Sequence, residues 1–104
     1  MLARSGTYHI DPEHFDEALA YFSTDVAQRY QASSGARGGL LLGNRKTGKL
    51  LGISFWEDVA SMEASEEAAQ GLREGVQQAG RGTDEIVRED WEILSLRAPE
   101  GDSP

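Results

Sequence analysis

Apolar side chains recur along this 104-residue chain with two different periods, and the changes of period mark its elements. Residues 2–10 alternate, placing Tyr8 and Ile10 on one side of a strand and Thr7 and His9 on the other. From Asp11 the period lengthens, and Phe15, Leu19, Phe22, Val26 and Tyr30 share one helical face. Asp11 is the expected N-cap, Pro12 suits the first helical position, and Glu13 favours the positive end of the helix dipole. Gly35 is placed to end the helix in a left-handed conformation.

Segments 37–45 and 49–57 are apolar and glycine-dotted, and the Thr47-Gly48 between them is hairpin chemistry. Asp58 is the expected cap of a second helix that carries Val59, Met62, Ala69, Leu72, Val76 and Ala79 inward. Ser65 followed by Glu66 and Glu67 predicts a bend or restart within it, and Gly80 and Gly82 close it. Residues 84–97 alternate as a long last strand, and 98–104 are expected to form a disordered polar tail. The chain is thus expected to hold one domain, residues 1–97, without repeats or linkers. The order β-α-β-β-α-β predicts an α+β, ferredoxin-like fold: a four-stranded antiparallel sheet with two helices on one face.

Those helices cover one sheet face, yet apolar residues point both ways. Leu51, Ile53 and Phe55 oppose Leu50 and Trp56; Leu40 and Leu42 oppose Leu41; Val87, Trp91 and Ile93 oppose Ile86, Leu94 and Leu96. Burying one large apolar side chain gains about 1.5–3 kcal/mol, so a bare second face would forfeit several such gains. A second copy of the sheet is the expected cover, giving a homodimer whose sheets close face to face as a dimeric α/β barrel.

Charge and composition remove several function classes. A formal charge of −8, from 18 acidic and 10 basic residues, opposes nucleic-acid binding. No apolar run approaches the roughly 20 residues of a membrane span, and the N-terminus has no apolar stretch of a secretory leader. Cysteine is absent, which excludes disulfides and thiolate chemistry and fits a cytoplasmic setting. The stretch "GNRKTGKL" resembles a phosphate-binding loop, but such loops join a strand to a helix and place Ser or Thr after the Lys. Here Leu50 takes that place and a β-branched, aromatic run follows, so the stretch is expected to be a turn.

The run from "GGLLLGNRKTGKLLGISFWED" through "SMEASEEAAQGLRE" to "EIVREDWEILSL" resembles the antibiotic-biosynthesis-monooxygenase-like group of the dimeric α/β barrel superfamily. The motifs span about residues 36–97, and Ser54 to Asp58 is their most specific part. The resemblance implies the homodimeric barrel and allows several activities. The first is a cofactor-independent monooxygenase that takes an aromatic or quinol-type small molecule and lets the substrate activate oxygen. The alternative is a non-catalytic ligand-binding or accessory protein on the same scaffold. The haem-degrading branch is not expected: its Asn, Trp and haem-ligating His fall near Ser5, Glu66 and Val76, and no histidine follows His14.

No catalytic set is evident. His9 is the one acid–base candidate, because an imidazole exchanges protons near neutrality. With Ser5 and Thr7 it forms a polar stripe expected to border a cavity, and Trp56 and Trp91 complete the candidate ligand-binding set. Trp56 also matches the strand-end tryptophan of the family, where the expected role is packing. "HIDPEH" could suggest a metal through His9, Asp11, Glu13 and His14, but Asp11 is better used as a cap, and neither metal nor cofactor is expected. Gly71 and Gly75 lie one turn apart in the second helix, where each costs about 1 kcal/mol relative to Ala. They are expected either to admit a close neighbour or to leave space over a pocket.

Overall fold

A computed structural model describes residues 1–97; the expectation of a disordered tail over 98–104 lies outside them. Four strands, β1 (Leu2–His9), β2 (Ala36–Asn44), β3 (Lys49–Trp56) and β4 (Val87–Glu92), form one antiparallel sheet in the order β2-β3-β1-β4. The helices pack on one face of it, as the element order predicts.

The Asp11 carboxylate accepts from the Glu13 N–H at 2.9 Å and opens a 3-10 turn, Pro12–His14. Helix α1 (Phe15–Tyr21) follows, then a π turn, Phe22–Val26, then α2 (Ala27–Gln31). The wider π turn is the feature the regular apolar spacing does not announce. It lies against the sheet where Gly52 leaves room, since a Cβ there would stand 2.6 Å from the Phe22 ring. The helix ends at Gln31, with Ala32 as its C-cap, earlier than the expected stop at Gly35; Gly35, at φ 81°, turns the chain into β2.

The β2–β3 connection settles the phosphate-loop question. Asn44 Oδ1 accepts from the N–H groups of Lys46 and Thr47, and Gly48 sits at φ 81°. It is a hairpin turn, with Lys49 directly in β3.

Asp58 caps α3 (Val59–Ala64) by accepting from the Ser61 N–H at 2.8 Å, and that hydrogen bond, with a second from the Ser61 hydroxyl, holds its carboxyl below the usual range. The helix breaks at Ser65 and restarts as α4 (Glu66–Ala79). Two expectations need correction here. Val59, at the first position of α3, is half exposed, whereas Met62 is buried as expected. β4 covers 87–92 instead of 84–97, because Glu92 already pairs with Leu2, the first residue of β1, and Thr7 pairs with Val87. Beyond Glu92 there is no ladder for Leu94 and Leu96, which are 85% and 64% exposed.

The core lies between sheet and helices: Tyr8, Ile10, Leu50, Phe15, Ala18 and Val76, flanked by Leu19, Tyr21, Phe22, Val26, Leu41 and Ile86. Among the described residues no helix lies on the opposite face. Leu40, Leu42, Val87 and Trp91 there are each about half exposed, from 43% to 52%.

Candidate functional site

Strand pleating decides what reaches the space under the helices. On β1, Arg4, Gly6 and Tyr8 point toward the helices, while Ala3, Ser5, Thr7 and His9 point to the open face. On β3, Ser54 and Trp56 accompany the first set, and Leu51, Ile53 and Phe55 the second. A cavity of about 680 Å³ opens between the inner set and the helices, partly open to solvent. Its walls are mainly apolar: Phe22, Val26, Tyr30, Leu41, Trp56 and Leu72. Such a volume suits one drug-sized molecule.

Trp56, 1% exposed, is fixed from three sides. Its Nε1–H donates to Ser54 Oγ at 2.8 Å, Tyr30 packs edge-on with ring centres 5.3 Å apart, and the Arg4 guanidinium lies 5.1 Å from its ring centre. The Tyr30 hydroxyl in turn accepts from the N–H of Gly38 at 2.7 Å and of Arg37 at 3.0 Å, and donates to the Phe55 carbonyl. It thereby ties α2 to the bulge where β2 shifts register between Ala36 and Gly38.

The inner end of the cavity is cationic. Arg4, 7% exposed, donates through Nη1 to the Met62 carbonyl at 2.9 Å and to Ser65 Oγ at 3.1 Å. Glu66 faces three guanidiniums: Arg73 at 2.5 Å, Arg88 at 2.9 Å and Arg4 at 3.9 Å. Arg88 also pairs with Asp90 at 2.9 Å. Glu66 is therefore a structural ion-pair centre. Burial lowers the Arg4 pKa from its ordinary value, with Glu66 opposing and Arg73 and Arg88 assisting that shift; the group stays protonated at neutral pH. Beside it, burial pushes the Tyr8 hydroxyl up to about 12 against the pull of Arg73 and Arg4. Among the described residues no side chain or backbone group hydrogen-bonds the Tyr8 hydroxyl, although Tyr8 is only 3% exposed.

Of the residues singled out from sequence, Trp56 lines the cavity with its side chain; Ser5 borders it, but its hydroxyl is turned to the outer face. Thr7 and His9 stand on the other face, His9 exposed at the end of β1 opposite Lys49, because odd positions of β1 project away from the helices. Trp91 shares that outer face and donates through Nε1 to Ser5 Oγ at 2.8 Å. The polar stripe of Ser5, Thr7 and His9 thus runs along the sheet and away from the cavity wall. Sequence reasoning passed over Arg4, Tyr8, Tyr30 and Arg73. Arg4 was detectable, since it shares its parity with Tyr8 and Ile10, the apolar side of the strand. His14 faces Glu17 at 3.6 Å and Asp11 is occupied by its cap; among the described residues no group of three or more His, Asp or Glu side chains could hold a metal ion.

No protein-family model matches the chain. It is 31% identical over 94 residues to the uncharacterized proteins MT2634 and Rv2557 of Mycobacterium tuberculosis, an alignment covering 90% of this chain and 41% of theirs. The chain therefore spans about two fifths of the length of the curated relatives it matches. Among solved structures, a monooxygenase from the gene ActVA-Orf6 of Streptomyces coelicolor, in complex with the ligand nanaomycin D, superposes with a TM-score of 0.75 at 11% identity. That match covers 95% of this chain and 92% of the other. A Deinococcus radiodurans protein assigned as an antibiotic biosynthesis monooxygenase gives 0.72 at 18% identity, over 97% of this chain and all of its own. SnoaB of Streptomyces nogalater, a cofactor-independent oxygenase, gives 0.63 at 16% identity, over 91% and 94% of the two chains. These likenesses agree with the resemblance carried by the "SFWED" hairpin, and the chain has the fold of the antibiotic biosynthesis monooxygenases.

Proposed function

We propose that the cavity binds one aromatic or quinol-type small molecule per subunit and that the protein acts on it as a cofactor-independent monooxygenase. The carrying observation is the cavity itself: about 680 Å³ of mostly apolar wall with a cationic inner end, in a fold shared with oxygenases. A phenol with an activated methylene needs no cofactor for this chemistry. Loss of a proton gives an enolate, its carbon bonds dioxygen, and loss of water from the hydroperoxide leaves a carbonyl in place of the methylene. The methylene supplies all four electrons, one oxygen atom is retained, and the other leaves as water. Apolar walls suit the flat rings, and the guanidiniums suit the developing oxyanion.

A second reading, a non-catalytic ligand-binding or accessory protein, is favoured by one specific observation. Among the described residues no Asp, Glu or His lines the cavity, so no side chain among them is a ready base at neutral pH. Oxygen uptake separates the two. With an anthrone or a naphthohydroquinone, the monooxygenase reading expects one dioxygen consumed per substrate without added metal or cofactor. Binding of the same compounds without uptake supports the accessory role.

The working form in this proposal is a homodimer. Leu40, Leu42, Val87 and Trp91 present an apolar outer sheet face that no helix of the described chain covers, and a second copy would bury it as the other half of a barrel. A cytoplasmic setting belongs to the same proposal and rests on the cysteine-free composition. Among the described residues no helix is long and apolar enough to cross a membrane.

A further inference from the structure

We propose that Arg4 and Tyr8 form an anion-accepting subsite at the inner end of the cavity, so that the ligand is an aromatic molecule carrying one oxyanion. The inference deepens the cavity reading above and rests on it. Three observations carry it.

The first is charge balance. Among the described residues Arg4, Arg73 and Arg88 meet only Glu66 and Asp90, so this cluster holds one uncompensated positive charge inside a protein whose total is −8. Arg73 is held by both Glu66 oxygens and Arg88 by Glu66 and Asp90. Arg4 is left with the long contact of 3.9 Å, so the excess charge belongs to it. A buried cation without a close counter-ion is costly, and an anionic ligand removes that cost.

The second is unused donor capacity. Each recorded side-chain hydrogen bond of Arg4 leaves through Nη1; among the described residues its Nη2 and Nε have no partner. A guanidinium pinned at one nitrogen, beside the Trp56 ring, presents its remaining N–H groups in a fixed plane, which matches a carboxylate, phenolate or enolate.

The third is Tyr8. Its hydroxyl lies over Gly6 next to the Arg73 side chain, where a Cβ on Gly6 would stand 3.0 Å from the hydroxyl and 3.2 Å from Arg73 Cδ. It lines the cavity, is almost wholly buried, and has no partner among the described residues. A protonated hydroxyl in that position donates to an acceptor arriving through the cavity. Burial keeps it protonated, and Arg4 supplies the charge.

The test compares 2-naphthoate, ionised at pH 7, with its neutral isostere 2-naphthamide, by isothermal titration calorimetry on the full chain. Wild type is expected to bind the carboxylate at least about tenfold more tightly, the least a hydrogen-bonded charge pair should give. Arg4→Met should abolish that preference, and Arg73→Gln, which frees Glu66 to pair with Arg4, should reduce it. Tyr8→Phe, which preserves the ring packing, should weaken carboxylate binding several-fold; it keeps the test alive if Arg4→Met fails to fold. Equal affinity for both probes, or a preference that survives both substitutions, overturns the subsite and leaves the cavity reading standing. Binding of neither probe overturns the cavity reading and the subsite with it.

Discussion

Trp91 and Ser5 are joined across β4 and β1 by a 2.8 Å hydrogen bond from the indole N–H to the hydroxyl, which holds a half-exposed indole against the outer sheet face. A large aromatic anchored in this way is suited to being covered. Leu42→Asp, on the opposite edge strand of the same face, is expected to convert the proposed dimer to a monomer in sedimentation equilibrium at micromolar concentration, with unchanged far-UV circular dichroism. A wild type already monomeric at that concentration would remove the proposed assembly. Trp91→Ala should weaken association in the same direction.

Tyr8 makes stability depend on pH at the alkaline end. Its hydroxyl is pushed up to about 12 in the folded state against an ordinary value near 10. Above pH 10 the unfolded chain loses this proton first. The contribution is therefore complete below pH 10 and is lost as pH rises through 12, for roughly 2–3 kcal/mol in all. Urea unfolding of wild type and Tyr8→Phe across pH 9–12 isolates it: the wild-type curve should fall more steeply, and parallel curves would refute the shift.

The paired glycines of α4 should respond in opposite ways. Gly71 has nothing within 4 Å of the position a Cβ would occupy, so Gly71→Ala should stabilise by about 0.5–1 kcal/mol through helix propensity. At Gly75 a Cβ would collide with the Tyr21 ring and hydroxyl. Gly75→Ala should destabilise by at least about 1 kcal/mol, as overpacking usually does. Two thermal melts decide it, and equal signs would contradict the packing.

Trp56→Ala should cost about 3–5 kcal/mol, as for other buried aromatics. That is a large share of the stability expected of a domain this size. Trp56→Phe keeps a ring for Tyr30 and Arg4 and should cost clearly less. Chemical denaturation of both variants checks the order; equal losses would place the contribution in the indole N–H to Ser54.

Most of the fold was legible in the chain because local signals and global packing agree in it. Asp11, Asp58, Gly35 and Gly48 each announce a cap or turn that the structure contains. The strand parities of β1, β2 and β3 follow from alternation alone. The π turn at Phe22–Val26 was not legible, because it answers to Gly52 on a distant strand. The last strand was read too long, since a strand's length is set by its partner and β1 starts at Leu2.

The site was less legible, for a related reason. The search for acid–base groups led to His9 and its neighbours on the outer side of β1, whereas the groups that reach the cavity on that strand are Arg4 and Tyr8. An arginine among small residues reads as surface until its parity is taken seriously. Glu66 likewise looks like one of several solvated glutamates of α4, and only the tertiary fold brings it to three arginines.

In the proposed dimer, neighbouring residues of β1 serve opposite sides of the sheet, so that the proposed ligand preference and subunit affinity can be altered almost independently. A mutational walk from Ala3 to Tyr8 should therefore alternate in phenotype, one step registering in how the two copies hold each other and the next in what the protein captures. Descendants of such a scaffold can exchange one cargo for another by editing even-numbered positions here, without having to renegotiate the partnership between chains.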